Sequence, residues 1–421
     1  MVKITEYKNG LKVVSDKHDG VRSVSVGFWF GAGSGFESEE NNGISHFTEH
    51  VTFKGTEKYS AFEIAKLFED YGASINAFTS KEATCYYFKC IDENFEKCFA
   101  LMSHILYESS FRDEELDKER NVIIEEINMV ADEPEDICYD RLAEKTYVGT
   151  ALARTILGPK ENVSRFNRND VLSYTKKMYT PDNTVISVVG NVSEMELNSV
   201  VEKYVLPNCS TEKCDKVYAP QVFGNGFIKY EKDFEQVNLA IAFGSLPFEH
   251  ELSATQSVVS FCLGTGMSSR LFQVLREQKG LVYNVYTSCS SYYNNGIFGI
   301  YLNTSGKNLF SAVESVRDEI NKVLMNGIMA EEIERAKMQI KSNTLFALEN
   351  TLSTMSSYGK YALYTGKAYD VDKKLAELQG VTTEKALAFC NNYFDCNNLS
   401  ISYVGKASHI KEMDLVRDFF K

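Results

Sequence analysis

The fold is decided by the stretch Asn183-Thr184-Val185-Ile186-Ser187-Val188-Val189-Gly190, because it returns 215 residues later as Asn398-Leu399-Ser400-Ile401-Ser402-Tyr403-Val404-Gly405. Both copies are rich in apolar and β-branched residues and end in glycine, which predicts two buried strands. Amphipathic patterns follow both copies and predict helices from Glu194 to Val205 and from His409 to Phe420. So long a period indicates two large homologous domains and not a solenoid.

Shorter echoes support the duplication. Phe30-Gly31 returns as Phe243-Gly244, and Glu119-Arg120 returns as Glu334-Arg335. We therefore expect an α+β fold in which each of two domains has a mainly antiparallel sheet packed with helices. The stretch from 207 to 226 contains proline and glycine and lacks helical periodicity. It predicts an N-terminal domain over residues 1–215, a linker over 216–226 and a C-terminal domain over 227–421.

The length, composition and charge limit the number of domains and the kind of partner that this chain can have. With 421 residues and 44% hydrophobic residues, the chain is long enough for two or more globular domains. A net charge of −13 without a Lys/Arg cluster argues against nucleic acid as a partner. The acidity is compatible with basic peptides as ligands or with solubility alone.

Location is predicted from three further patterns. No run of about 18 apolar residues is present to span a membrane. The first residues predict a β-hairpin around Asn9-Gly10 and not a signal peptide. The ten cysteines are scattered without paired metal-ligand spacing, which favours reduced thiols. We expect a cytoplasmic protein that does not enter the membrane.

A pattern typical of metal binding lies in the motif His46-Phe47-Thr48-Glu49-His50. Residues four apart on a helix lie one turn apart on one face, so His46 and His50 can point at one metal ion. Glu49 lies on their flank, where it is better placed to act as a general base on a metal-bound water than as a third ligand. The inverted order His-x-x-Glu-His is a metallopeptidase signature. The alternative is a surface helix with two solvated histidines.

The duplication provides an internal control for this motif. At the same offset, the second half carries Phe261, Gly264 and Thr265 in place of the three motif residues. Histidines that served the fold alone would be expected to leave a trace in both copies. Their restriction to one copy favours chemistry, and the alternative is divergence by drift.

A third ligand is expected on the helix predicted from Asp113 to Val130. Its apolar stripe consists of Leu116, Ile123, Ile127 and Val130. Glu119 and Glu126 flank this stripe on the buried side, whereas Glu125 faces water. Two buried carboxylates need a cation, either a metal ion or the side chain of an Arg or Lys. At the offset of 215, Lys341 replaces Glu126, so this carboxylate is lost together with the histidines.

The motif resembles that of the pitrilysin/insulinase family of zinc peptidases, above all the branch of mitochondrial processing peptidase and its short bacterial relatives. The resemblance spans nearly the whole chain and includes Phe53-Lys54-Gly55-Thr56 and Glu119-Arg120-Asn121-Val122-Ile123-Ile124-Glu125-Glu126. It implies one zinc ion per chain, bound by His46, His50 and Glu126, with Glu119 in support of the ligands. It also implies that Glu49 activates the water that attacks the peptide bond.

The resemblance further implies where a peptide binds. Family members add the peptide as a strand to a sheet edge, and the matching segment here is Asn76-Ala77-Phe78-Thr79. Arg276 and Tyr283 in the second half are similar to a family pair that contacts the substrate near the zinc. The alternatives are an ordinary buried strand, a helix-surface arginine and a core tyrosine.

The implied function is that of a zinc-dependent endopeptidase that cleaves unfolded peptides or leader sequences inside an enclosed chamber. Because one chain supplies a single pair of domains, it resembles the short branch, which dimerises. We expect a homodimer in which Arg276 and Tyr283 act in cis or from the partner chain. The alternatives are the active subunit of a heterodimeric processing peptidase and a noncatalytic scaffold subunit.

Overall fold

The computed structural model of the chain describes residues 2–406, so the helix predicted from His409 to Phe420 lies outside the described residues. The structure divides into two compact units, and each is assembled from separate stretches of the sequence. The first unit comprises residues 2–127, Arg154–Tyr218 and Leu345–Asp370. The second unit comprises Asn128–Ala153, Ala219–Thr344 and residues 371–406.

Strands and helices alternate along both halves of the chain. The strands are β1 (Lys3–Glu6), β2 (Lys12–Lys17), β3 (Ser23–Phe30), β4 (Ser74–Thr79), β5 (Thr84–Ile91), β6 (Thr184–Gly190), β7 (Gly226–Glu231), β8 (Val237–Gly244), β9 (Val282–Ser291), β10 (Gly296–Thr304) and β11 (Leu399–Gly405). The helices are α1 (Ile44–Thr52), α2 (Ala61–Asp70), α3 (Phe95–Glu108), α4 (Asp113–Val130), α5 (Pro134–Thr146), α6 (Lys160–Arg165), α7 (Arg168–Met178), α8 (Glu194–Tyr204), α9 (Ser253–Ser260), α10 (Leu309–Asn326), α11 (Ala330–Leu348), α12 (Thr351–Thr365), α13 (Val371–Gln379) and α14 (Thr383–Tyr393). Among these helices of residues 2–406, none combines the length and apolarity needed to cross a membrane.

The first unit contains a six-stranded sheet in the order β1-β2-β6-β3-β5-β4. Only the β2–β6 pair is parallel within this sheet. β3 and β6 lie at its centre and are buried almost throughout, as their valine, isoleucine and aromatic residues favour. β1 and β2 form the predicted N-terminal hairpin, and Gly10 in its turn has a φ of 91° that favours glycine.

The second unit repeats the order of β2, β6, β3, β5 and β4 in a five-stranded sheet, β7-β11-β8-β10-β9, which has no counterpart of β1 among the described residues. β11 lies between β7 and β8 as β6 lies between β2 and β3, with one parallel and one antiparallel neighbour in each case. The stretches at 183–190 and 398–405 therefore form strands in equivalent positions. The predicted α+β fold with two mainly antiparallel sheets is confirmed.

One helix from each half of the chain belongs to the unit built mainly from the other half. α5 packs on β8 and β11 of the second unit, whereas α12 packs on β3 and β6 of the first. The two helices begin 217 residues apart, at 134 and 351, so they are copies of one repeated element. Each compact unit is therefore discontinuous in the sequence, and one change of unit follows Tyr218. The domain bounds 1–215 and 227–421, with the linker 216–226, stay a prediction.

Glycine residues allow α12 to lie close to the first sheet. A Cβ atom at Gly27 would come within 2.3 Å of Met355 Sδ, and one at Gly359 within 2.1 Å of Trp29 Nε1. Ser187 of β6 donates a hydrogen bond of 2.9 Å to the backbone oxygen of Met355. α12 thus packs on the apolar face of β3 and β6, where Met355, Tyr358 and Ala362 join Trp29 and Val185 in one buried cluster.

Candidate metal centre

The site is built on α1, whose buried side carries His46 and His50 one turn apart, with ring centroids at 4.6 Å. Glu126 reaches them from α4. Its Oε2 lies 3.6 Å from His46 Nε2 and 3.5 Å from His50 Nε2. One donor atom from each of the three side chains lies within 4.8 Å of the other two. Within the described part of the chain, this is the one such group of metal-ligating residues.

This donor set fits a zinc ion. Both imidazole Nε2 atoms face one carboxylate oxygen at distances longer than the roughly 2.8 Å of a good charge-assisted hydrogen bond. Zinc bonds of about 2.0–2.1 Å in tetrahedral geometry separate neighbouring ligand atoms by about 3.4 Å, which is close to both observed distances. Two histidines and one carboxylate also leave the fourth position that a catalytic zinc site needs.

The two histidines have opposite electrostatic surroundings. Burial lowers the pKa of His46 to about 4, and the neighbouring His50 adds to the effect. His46 is therefore neutral at pH 7, as a metal ligand must be. Burial also lowers the pKa of His50, but the hydrogen bond to Glu119 and the nearby carboxylate of Glu126 outweigh it and raise that pKa to about 9. The carboxylates thus favour a positive charge here, which a metal ion can supply in place of the proton.

Glu119 is buried beside the histidines and orients one of them. Its Oε2 accepts a hydrogen bond of 3.1 Å from His50 Nδ1, so His50 Nε2 is left to face the metal position. Its Oε1 pairs with Lys54 Nζ at 2.7 Å. Among the described residues, the alternative of a lysine or arginine partner thus applies to Glu119, whereas the ion pairs of Glu126 are with His46 and His50. The ion pair between Lys54 and Glu119 was not predicted from the sequence. The only signal for it was that Lys54 lies four residues after His50.

Glu49 lies on the flank of the histidine pair, as the helical spacing predicts. It accepts a hydrogen bond of 2.5 Å from Thr79 Oγ1. Burial raises the pKa of Glu49, and the Thr79 hydrogen bond opposes this. A carboxylate of raised pKa exchanges protons at a pH closer to neutral, which suits a general base. The contact with Thr79 was missed, since it depends on how the sheet lies against α1.

The predicted peptide-binding segment lies in β4, the last strand of the first sheet. β4 pairs with β5 on one side and has no strand on the other among the described residues. Side-chain exposure alternates along it, and Phe78 is 38% exposed with its ring centroid 5.4 Å from that of Trp29. The structure thus places Asn76, Ala77, Phe78 and Thr79 at a sheet edge and not in an ordinary buried strand.

Arg276 and Tyr283 belong to the second unit and contact each other there. Arg276 lies in a π-helical turn, Phe272–Gln278, and its Cζ is 5.7 Å from the ring centroid of Tyr283. Tyr283 on β9 is 74% exposed, so it is not a core tyrosine. The two side chains form an exposed cation–π pair at the edge of the second sheet.

Two family models match this sequence. Residues 12–160 match the insulinase family, peptidase family M16, and residues 165–340 match the inactive domain of the same peptidase family. The second match covers much of the second half of the chain, in which Phe261, Thr265 and Lys341 stand at the positions of His46, His50 and Glu126.

Relatives match over nearly the full chain. A protein of Bacillus subtilis named as an uncharacterized zinc protease is 39% identical over 394 residues, which cover 94% of this chain and 96% of the relative. A protein of Rickettsia felis with the same description is 34% identical over 93% of this chain and 94% of the relative. The beta subunit of bovine mitochondrial-processing peptidase is 28% identical over 98% of this chain and 86% of the relative.

Solved structures share the fold. A protease from Helicobacter pylori superposes with a TM-score of 0.90 at 20% identity and covers 96% of this chain and 99% of its own. A peptidase M16 inactive domain from Pseudomonas fluorescens gives a TM-score of 0.89 at 18% identity, with coverage of 97% and 98%. Together with the sequence matches, these findings show that the chain belongs to the insulinase family of peptidases, M16.

Proposed function

We propose that this protein is a zinc-dependent endopeptidase that cleaves unfolded peptides or leader sequences. The observation that carries the proposal is the convergence of His46, His50 and Glu126 on one point, with Glu49 beside them. Relatives named as zinc proteases support it. A noncatalytic scaffold subunit would have no use for the complete set of ligands and base.

Each residue of the site has a separate task. His46, His50 and Glu126 hold the zinc ion, which when bound supplies a Lewis acid and lowers the pKa of water toward neutrality. Glu49 takes the proton of the attacking water and returns it to the leaving amine. Thr79 holds the Glu49 carboxylate in place through its hydroxyl group.

The peptide binds as an additional strand along β4. Backbone pairing selects an extended conformation more than a side-chain sequence, so many unfolded peptides are accepted and folded proteins are refused. Since Thr79 of β4 donates to Glu49, a peptide paired with this strand passes beside the general base. The zinc site and the strand edge therefore serve one substrate.

The proposal includes a homodimer in the cytoplasm that encloses the peptide in a chamber. Arg276 anchors a backbone carbonyl, and Tyr283 stabilises the oxyanion, in cis or from the partner chain. The similarity to the beta subunit of a mitochondrial-processing peptidase favours a second candidate, the active subunit of a heterodimer. Gel filtration with a peptide assay separates the two, because a pure homodimer that cleaves alone excludes the heterodimer.

The central test compares zinc content and cleavage of a quenched fluorescent peptide in the wild type, Glu49→Gln and His50→Ala. Glu49→Gln should keep one zinc ion per chain and lose activity by about a thousandfold or more, since only the proton acceptor is removed. His50→Ala should lose both zinc and activity. Full activity in Glu49→Gln would end the proposed mechanism.

A second test asks whether Arg276 acts from the partner chain. Glu49→Gln and Arg276→Ala chains are mixed and allowed to exchange subunits. Recovery of activity in the mixture supports action in trans, because each mixed dimer then holds one intact site. No recovery, with exchange shown by differently tagged chains, supports action in cis.

Peptide binding can be followed without turnover. Trp29 is the single tryptophan of the chain, and it contacts Phe78 of β4. In Glu49→Gln, addition of an extended peptide should change the tryptophan fluorescence in a saturable way. An unchanged signal, with binding shown by fluorescence anisotropy of a labelled peptide, would move the peptide away from β4.

A further inference from the structure

Glu37 is a buried carboxylate in the loop before α1, with 4% of its surface exposed. Its Oε2 accepts hydrogen bonds from the Gly43 backbone N–H and from Asn42 Nδ2, both at 2.8 Å. Its Oε1 accepts hydrogen bonds from the Ser45 backbone N–H at 2.8 Å and from Ser45 Oγ at 2.5 Å. Four donors thus compensate one buried charge.

All four donors belong to residues 42–45, which include the N-cap Gly43 and the first turn of α1. The first N–H groups of a helix have no acceptor within the helix, and the N-cap residue here, Gly43, has no side chain to supply one. Glu37 supplies these acceptors from outside the helix. It also places a negative charge at the positive end of the helix dipole. The carboxylate therefore acts as the N-terminal cap of the helix that carries the histidines.

The second half of the chain lacks this carboxylate. At the offset of 215, Glu37 becomes Leu252, which precedes α9 and makes no side-chain hydrogen bond to it. At the same offset, other residues also replace both histidines and Glu126. The cap is therefore absent from the copy that has lost the metal ligands.

The first turn of α1 and the Glu37 backbone also form hydrogen bonds with residues distant in the sequence. Ser45 Oγ lies 2.6 Å from the hydroxyl oxygen of Tyr174 on α7, and Arg154 donates a hydrogen bond to the backbone oxygen of Glu37. Because His46 directly follows Ser45, any movement of this turn moves the first imidazole of the site.

We propose that Glu37 is a positioning residue of the metal centre, which fixes the first turn of α1 so that His46 faces Glu126. The inference rests on the proposed zinc site. Glu37 touches neither the metal position nor β4 and acts only through the helix. Loss of such outer contacts lowers metal affinity by about tenfold to a hundredfold in other metal sites.

The test substitutes Glu37→Gln in the full chain, which keeps the shape but turns one acceptor oxygen into a donor. Zinc affinity is measured by competition with a chromogenic chelator, and ligand geometry by the visible absorption of the Co²⁺-substituted protein. The matched control is Glu196→Gln, which makes the same substitution in an exposed capping carboxylate at the start of α8, far along the chain from the metal ligands. Glu37→Gln should weaken zinc binding about tenfold or more and alter the Co²⁺ spectrum, and Glu196→Gln should do neither.

The outcomes separate this inference from the proposed function. Wild-type affinity and spectrum in Glu37→Gln would overturn the positioning role and leave the zinc site standing. Equal losses in Glu37→Gln and Glu196→Gln would overturn it too, because general destabilisation would then explain both. A wild-type chain that binds no zinc would overturn both proposals. If Glu37→Gln does not fold, Ser45→Ala removes one of the four donors and should weaken zinc binding severalfold, and unchanged affinity there would contradict the inference.

Discussion

The helix that carries the histidines and its counterpart in the second unit occupy repeated topologies but pack differently on their edge strands. In the first unit, Glu49 of α1 reaches Thr79 of β4 through a side-chain hydrogen bond. In the second unit, the counterpart position is Gly264 in a π-helical turn, and a Cβ atom there would come within 2.7 Å of the Thr287 backbone nitrogen on β9. The Glu49 side chain thus fits between α1 and β4, whereas a side chain at Gly264 would collide with β9.

The hydroxyl groups around the π-helical turn of the second unit form hydrogen bonds with one another. Thr265 Oγ1 lies 3.2 Å from Thr287 Oγ1, and Ser260 Oγ donates to the same Thr287 oxygen at 3.0 Å. Neutral hydroxyl groups that bond to one another require no cation, unlike the carboxylates of the first unit. Equivalent positions of the two units thus hold a cluster of histidines and carboxylates in one case and a cluster of hydroxyl groups in the other.

The first prediction places a residue of the second unit at the metal centre of the first. Glu126→Lys introduces the side chain found at the offset position, Lys341. It should abolish zinc binding and lower peptidase activity by about a thousandfold or more, since an ammonium group then occupies the place of the cation. Metal analysis and the peptide assay measure this. The reciprocal Lys341→Glu should change neither, and zinc retained in Glu126→Lys would remove Glu126 from the ligand set.

A second prediction concerns the packing around Gly264. Gly264→Ala should lower the free energy of unfolding by about 1–3 kcal/mol, because its Cβ meets the backbone of Thr287. Glu49→Ala, at the counterpart position in the first unit, should leave the free energy of unfolding nearly unchanged or raise it, since it removes a buried carboxylate. Urea titration followed by circular dichroism gives both values. Equal destabilisation by the two substitutions would refute the difference in packing.

The third prediction addresses the lysine that supports the ligands. Lys54→Met should weaken zinc binding about tenfold, because Glu119 loses the ammonium group that holds it against His50. Lys66→Met removes a solvent-exposed ion pair with Asp70 and should leave zinc affinity unchanged. Chelator competition at one ionic strength compares the two variants. Identical affinities in Lys54→Met and the wild type would show that Glu119 needs no basic partner.

The smallest expected effect is a shift of the pH profile. Glu49 must be ionised to accept a proton, so activity is lost as the pH falls through its raised pKa. Thr79→Val removes a hydrogen bond that lowers this pKa, so the acid limb of kcat/KM should move to higher pH. Thr287→Val on the edge strand of the second unit should leave the limb in place. A shift to lower pH in Thr79→Val would contradict the assignment of Glu49 as the base.

Much of this architecture could be predicted from the sequence because its signals are local. The repeated strands at 183–190 and 398–405, the helix Asp113–Val130 and the spacing of His46 and His50 all follow periodicities of neighbouring residues. Glu126 could be chosen over Glu125 because helical geometry alone separates a buried face from an exposed one; the structure leaves Glu125 exposed.

The contacts that were missed depend on the tertiary structure. An amphipathic pattern tells which face of α5 or α12 is buried but not which sheet covers it, so their exchange could not be predicted. Lys54 meets Glu119, and Thr79 meets Glu49, only after separate elements have packed together. Such partners are distant in the sequence and have no fixed spacing that would reveal them.

α5 and α12 each belong to the unit built mainly from the other half of the chain, and this arrangement affects synthesis on the ribosome. The first sheet needs Leu345–Asp370 to be complete, so most of the chain must be translated before this sheet can bury its outer face. About 180 residues separate the end of β6 from Asp370, so at about 5–20 residues per second this face waits for roughly 10–40 seconds after its strands have been made. The first half of the chain is therefore made first but finished late, and we expect the nascent chain to present an apolar sheet surface to chaperones during that interval.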